Sequence, residues 1–391
     1  MARLKIAYLC DISPEHALPY SGGNARIFNA LSEYADVTIL PHSWGLAEPV
    51  RRAIYAMSDA AQLRLRWRMH LALARVISAP INRELAQGGY DAVFCAYSFQ
   101  SLSRIAPPPG MVSVFTSDAT PTVYKRSEIG QSFGSSWISR HLFDPLTLRA
   151  ERRIFSALDL MLCPSPWLKR EAEALYDLPE GAAYVLPWGA NIDDPGPPPA
   201  APPISRNDPL NLLVIGRDWF AKGGPLAFDT MKDLRARGFD ARLTVIGATP
   251  PEFHRNEHVA PLGMLDKSDS DQVAELNAAL AGAHFLIQPS FESYGFAFCE
   301  AAAHGLPSLC LDVGGVPVQD GVSGHPLPSG SGPADFAETV IRYLDDPAAY
   351  ARLRSSSRAA FDSTLNWQAW AQRTIALIEH KLSKTKAIPN I

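Results

Sequence analysis

No window of the 391-residue sequence reaches the ~18 consecutive apolar residues of a membrane-spanning helix. The opening stretch "MARLKIAYLCDISPEH" meets Asp11 after a short apolar run, so it is not expected to act as a secretory signal. Cysteine is scarce: five residues, at 10, 95, 163, 299 and 310, with no CxxC. That excludes a disulfide framework or a zinc ribbon and predicts buried, reduced thiols of a cytosolic protein. No large excess of charge is present either. A net charge of −4 gives no global attraction to nucleic acid. The GxxxxGK[ST] pattern is missing, which excludes a P-loop.

What is present is apolar and periodic. With 47% hydrophobic residues and a length beyond that of one growing core, two domains are expected. Ten short apolar runs read as strands: 4–10, 36–40, 90–97, 111–117, 158–165, 182–187, 210–216, 241–247, 284–290 and 307–313. Helical patterns such as 223–238, 271–283 and 334–344 separate them. Near-continuous apolar strands are buried on both faces, as in parallel sheets flanked by helices. Proline, 33 residues in all, concentrates in "DDPGPPPAAPPISRNDP" (193–209), which reads as a stiff interdomain linker. The expected fold class is α/β: two Rossmann-like, doubly wound parallel-sheet domains facing a central cleft, with ligand at the strands' carboxyl ends. The expected domains are 1–192 and 210–365. A last helix in 366–391, with Trp367, Trp370, Ile375 and Ile378, is expected to pack back across the junction.

Three stretches could carry chemistry. In "PSFESYGFAFCEAAAHGLP" (289–307) a strand ends, Glu292 lies in the loop, and Glu300 falls in the second turn of a helix. The amides of Tyr294, Gly295 and Phe296 stand at that helix start, where anions and sugar hydroxyls are favoured. A glycosidase pair needs carboxylates ~5–9.5 Å apart, whereas eight helical residues span ~12 Å. The two glutamates therefore read as contacts to different parts of one ligand. A metal site is not expected. In "VIGRDWFAKGG" (214–224), Arg217 and Lys222 follow a strand and precede a glycine-rich helix start, which suits a diphosphate or a purely structural loop. In "PYSGGNARIF" (19–28), Gly22 and Gly23 open a helix after the first strand and serve either a ligand or the turn geometry.

Together, the glycine pair, the G-R-x4-K turn and the E-x7-E loop-helix resemble glycosyltransferase family 4, the retaining glycosyl transferases group 1 with the GT-B fold. The likeness runs through "VLPWGANID" (185–193) and "GVPVQDGVSG" (315–324), where Gln319 stands in place of the usual glutamate and Asp320 is beside it. The resemblance implies metal-independent, retaining transfer of a hexose-type sugar from a UDP- or GDP-sugar to a hydroxyl acceptor, and the arginine-rich segment 51–83 favours an acceptor that is lipid-linked or a cell-envelope glycan. It implies no cofactor beyond the nucleotide-sugar donor. Arg217, Lys222, Gly22 and Gly23 would take the diphosphate. Glu292, with 294–296, would take the sugar, and Glu300 the ribose. Many members carry a histidine after the strand matching 111–117. Here Asp118 follows Ser117, and no histidine occurs from 71 to 140. Asp118 either takes that catalytic position or is a turn aspartate. His16 reads as a surface loop residue. A nucleotide-sugar epimerase and a non-catalytic nucleotide-sugar-binding partner are the alternatives.

Residues 51–83 hold seven arginines and one acid. Helical spacing sets Arg64, Arg68 and Arg75 on one face beside Trp67 and Leu71, with Leu65, Met69, Leu73 and Val76 facing the core. Such a face suits an anionic membrane or an acidic acceptor, or is simply solvated. The expected location is cytoplasmic, with peripheral contact to the inner face of the plasma membrane.

Overall fold

The computed structural model describes residues 3–16, 19–132, 137, 139–198 and 204–386. The chain divides into two compact units, 1–187 with 367–391, and 188–366. In the first unit lie β1 (Lys5–Leu9), β2 (Asp36–Ile39), β3 (Ala92–Ala96), β4 (Val112–Thr116), β5 (Leu160–Cys163) and β6 (Ala183–Val185). In the second lie β7 (Leu210–Gly216), β8 (Ala241–Gly247), β9 (Val259–Gly263), β10 (Phe285–Gln288), β11 (Ser308–Leu311) and β12 (Gly324–Leu327).

Both sheets are parallel throughout. The first has the order β2-β1-β3-β4-β5-β6 and the second β12-β11-β10-β7-β8-β9. Each order reverses once, between β1 and β3 in the first unit and between β7 and β10 in the second. At such a reversal the crossover helices leave for opposite faces, and the strand ends open a crevice that holds ligands. Alternate residues of a strand feed opposite faces. In β7, Leu212 and Val214 enter one core with Phe285 and Phe336, while Leu213 joins Leu286 and Phe298 in the other.

All ten runs read as strands are strands. The two others, β9 ("VAPLG") and β12 ("GHPL"), each contain a proline and form the two edges of the second sheet. Proline removes a ladder donor, so edges are where it is tolerated.

The division between units falls at Pro187, ahead of the proline-rich stretch. The described part of that stretch is strapped to the second unit: the Arg358 guanidinium donates to Gly196 O at 2.8 Å and pairs with Asp194 at 2.9 Å. Arg206 pairs with Asp345 at 2.6 Å. Residues 199–203 lie outside the described residues. The last helix, Trp367–Lys386, belongs to the first unit, packs on the Gly23–Tyr34 helix, and sets Trp370 edge-on to Phe94 at 6.0 Å. Residues 387–391 of that expected segment lie outside the described residues. All five cysteines are buried and unpaired. No described helix is long and apolar enough to cross a membrane.

Candidate functional site

In the second unit the loops after β7 and β10 meet across the switch point. The first supplies Lys222 and the second Glu292, with Nζ and Oε1 2.5 Å apart. The same Oε1 accepts from Gln288 Nε2 at 3.0 Å and Ser290 Oγ at 2.8 Å. Oε2 accepts from none of the described residues. The Glu292 backbone is also fixed, bridging Gly314 and accepting from Gly315 N at 2.8 Å. The carboxylate is thus held by three donors on one oxygen, with the other oxygen left for a ligand.

Glycine makes this approach possible. Gly223 has φ 72°, and a Cβ there would stand 2.5 Å from Pro289 O, so any other residue would push the two loops apart. The amides of Lys222, Gly223 and Gly224 bond within their own loop, to Asp218, Phe220 and Trp219 carbonyls. With these three amides used within the loop, what it offers outward is its cations. Arg217 is exposed and makes no ion pair or hydrogen bond with the described residues.

Gly295, at φ 91°, caps the Phe296–Ala303 helix, and the Phe298 amide of its first turn donates to Gly295 O at 3.2 Å. The Tyr294 side chain turns inward, donating to Trp188 O at 2.6 Å, while Phe296 stacks on Trp188 with ring centroids 5.8 Å apart. Trp188 of "VLPWGANID" therefore buttresses the helix start. Cys299 packs beneath it, its thiol pushed up to about 12 by burial. Glu300, in the same helix, is buried, and its Oε1 lies 2.5 Å from Lys267 Nζ. Glu292 and Glu300 thus have separate partners. Sequence reasoning missed Lys267, which sits in the polar run "LDKSDSD" and reads there as ordinary surface. It also missed Gln288 and Ser290. Their signal is position: they flank the end of β10.

In the first unit the switch point gathers a second polar cluster. Asp11, just past β1, is buried and accepts from Tyr20 Oη and Gln100 Nε2, both at 3.0 Å; Arg66 pairs with it at 3.3 Å. Tyr20 stacks on Tyr97, which follows β3, at 4.3 Å between centroids. Tyr20, Ser21 and Tyr97 all hold positive φ, 56°, 55° and 61°. Left-handed backbone in such residues costs about 1–3 kcal/mol each, and the Asp11 and Tyr97 contacts offset it. This strained turn delivers Gly22, at φ 84°, as the cap of the Gly23–Tyr34 helix. Asp118, half-buried after β4, accepts from Ser117 Oγ at 3.4 Å. Burial first, then the charges of Asp118 and Tyr20, raises the Tyr97 hydroxyl well above the usual tyrosine range. His16 is exposed.

The basic segment differs from its expected facing. Trp67 and Leu71 pack on the main core of the first unit, and Met69 and Leu73 pack on a small cluster around Trp44. Leu65 and Val76 are exposed. The segment breaks at Leu73 into helices Asp59–Ala72 and Ala74–Gln87, which resets the phase. Arg68 stacks over Trp67 at 4.4 Å, and Arg75 is exposed. The side chain of Arg64 lies outside the described residues. An exposed tryptophan beside an arginine face is therefore not what this segment presents. Asp320 pairs with His325 at 2.5 Å, closing the turn before β12. Among the described residues no three His, Cys, Asp or Glu side chains gather as a metal-ligand set.

Residues 209–346 match the family model described as glycosyl transferases group 1. The glycogen synthase of Mycobacterium tuberculosis is 32% identical over 184 residues, which is 43% of this chain and 42% of that relative. The D-inositol 3-phosphate glycosyltransferase of Frankia alni is 31% identical over 231 residues, 54% of this chain and 56% of that relative. The chain thus spans about half the length of the curated relatives it matches. The solved sucrose-phosphate synthase from Thermosynechococcus elongatus superposes with a TM-score of 0.66 at 18% identity, covering 98% of this chain and 100% of that one. At that identity the likeness concerns the fold. Residues 209–346 thus resemble the glycosyl transferases group 1, and the chain as a whole has the α/β, two-domain GT-B fold.

Proposed function

We propose that the protein is a retaining glycosyltransferase that moves a hexose-type sugar from a nucleotide-diphosphate sugar to a hydroxyl acceptor. The observation that carries this is the Lys222–Glu292 pair across the β7/β10 switch point, with the unpaired Arg217 guanidinium on the same loop. Arg217 and Lys222 neutralise the diphosphate and stabilise it as it leaves, the work a divalent metal does in other phosphate-transfer sites. Glu292 accepts the hydroxyls of the transferred sugar through its open Oε2. Glu300 accepts the vicinal ribose hydroxyls, for which a carboxylate has two suitable oxygens. The start of the Phe296–Ala303 helix supplies amides to the sugar.

To Gly22 and Gly23 we assign further amide contacts to the phosphates, and to Asp118 a contact to the sugar or acceptor hydroxyl. The acceptor attacks on the face that the leaving phosphate vacates, and a phosphate oxygen takes its proton. This keeps the anomeric configuration without a protein nucleophile. The test is a screen of UDP-, GDP- and ADP-sugars by thermal shift, with and without EDTA, followed by NMR of the product. Transfer with retained anomeric configuration, unaffected by EDTA, is expected. Interconversion of the free donor without acceptor would instead make the protein an epimerase. Nucleotide binding with no turnover would make it a binding partner.

A further inference from the structure

The helix Asp144–Phe155 of the first unit departs from an ordinary surface helix at two positions, a buried Glu151 and an exposed Leu146. Its inner face is formed by Thr147, Glu151, Ile154 and Phe155, all buried. Its outer face carries Leu146, Arg149 and Arg153, and Leu142 of the preceding turn continues the same line. Steps of four, three and four residues set these side chains in one stripe. Leu142 and Leu146 are 52% and 51% exposed, and Phe143 beside them 41%. Arg149 and Arg153 are exposed at the far end. Arg68 lies over the Phe143 ring at 5.5 Å and adds a further cation from a neighbouring helix.

Neither carboxylate of the helix itself stands open beside them. Of the two carboxylates on this helix, Glu151 is in the core and Asp144 is paired with Lys125 at 2.6 Å. Single exposed leucines are common on soluble surfaces. Three adjacent large apolar side chains bordered by arginines, on a helix that buries its glutamate, are a composed surface.

We infer that this face, Leu142, Phe143, Leu146, Arg149 and Arg153, rests on an anionic bilayer. The apolar residues enter the headgroup–acyl boundary, and the two arginines meet lipid phosphates. Charge complementarity selects this occupant over a second copy of the chain, because a twofold pairing would bring the same arginines of both copies to one interface. The surface draws on none of the groups assigned to the donor, so it stands or falls separately from the proposed transfer.

Flotation of the full chain with phosphatidylcholine vesicles, with and without phosphatidylglycerol, tests this at low and high salt. Binding is expected only to the anionic vesicles and is expected to weaken with salt. Leu142→Ser/Leu146→Ser should lower the bound-to-free ratio at least about tenfold, since losing two partly buried leucines exceeds the 1.4 kcal/mol of one decade. Arg149→Glu/Arg153→Glu should abolish binding. Leu46→Ser, at the most exposed leucine outside the stripe, should change nothing. Thermal melts check that each variant folds. The inference is overturned if the wild type does not float, if neutral vesicles bind it equally, or if neither double variant alters binding. It is also overturned if sedimentation shows a dimer that Leu142→Ser/Leu146→Ser dissociates, which would assign the face to a second copy.

Discussion

Replacing Lys222 by methionine keeps the alkyl stem and removes only the ammonium, so it isolates the ion pair at the switch point. The Glu292 side chain is 10% exposed and that of Lys222 29%. Without the ammonium, the buried carboxylate keeps only the Gln288 and Ser290 donors. Breaking a buried pair from one side costs about 3–5 kcal/mol, and the partial exposure of Lys222 screens this to about 2 kcal/mol. Glu292→Gln leaves the cation instead, which water still reaches, and trades charge-assisted hydrogen bonds for neutral ones at about 1 kcal/mol. The double variant has no orphaned charge and should be more stable than Lys222→Met alone, with a coupling of about 1–2 kcal/mol. Urea unfolding of the wild type, both single variants and the double variant reads this directly. Transfer should not recover: each variant should lose about 10²–10³ in kcat, as when one oxyanion-stabilising donor is removed. Stabilities that add to within about 0.3 kcal/mol would refute the coupling. Restored transfer in the double variant would refute the role of the pair in catalysis.

The other expectations follow from the same geometry. Burial pushes the Glu151 carboxyl up to about 7, against hydrogen bonds from Thr122 that lower it. Its folded-state pKa is raised, so its contribution is fully present below the ordinary carboxyl range near 4.5 and is lost as pH rises through 7. Glu151→Gln should therefore remove about 3 kcal/mol of stability difference across that window, read from urea midpoints at several pH values. Gly223→Ala should cost about 2–3 kcal/mol through backbone strain and the clash with Pro289 O, and should depress transfer as well. Gly238→Ala, also at positive φ but in open space, should cost about 1 kcal/mol and leave transfer unchanged.

The sheets were legible because their strands are buried on both faces and so read as unbroken apolar runs. β9 and β12 escaped because Pro261 and Pro326 mark them as non-strand, when an edge position tolerates the lost donor. The charged ends of the site, Lys222, Glu292 and Glu300, stood out because each follows a strand or opens a helix at recognisable spacing. Their partners did not. Lys267 reaches Glu300 from 33 residues away, and Gln100 reaches Asp11 from 89. Such pairings exist only once the sheet order is set.

The Asp59–Ala72 helix was misread for a different reason. It packs on two clusters at once, so its apolar residues do not fall on one stripe, and Trp67 and Met69 both find partners. In the Asp144–Phe155 helix the pattern is broken by a satisfied core glutamate. Periodicity alone gives no sign that Glu151 is inside and Leu146 outside.

The division of labour between the two glutamates is the centre of the account, and isothermal titration with UDP and GDP tests it most directly. Glu300→Ala should weaken binding of the matching nucleotide at least about tenfold, through loss of charge-assisted hydrogen bonds to the ribose. Glu292→Ala should leave nucleotide affinity within about threefold while abolishing transfer, since its ligand is the sugar and not the nucleotide. Equal loss of nucleotide affinity in both variants, or undiminished affinity in Glu300→Ala, would contradict it.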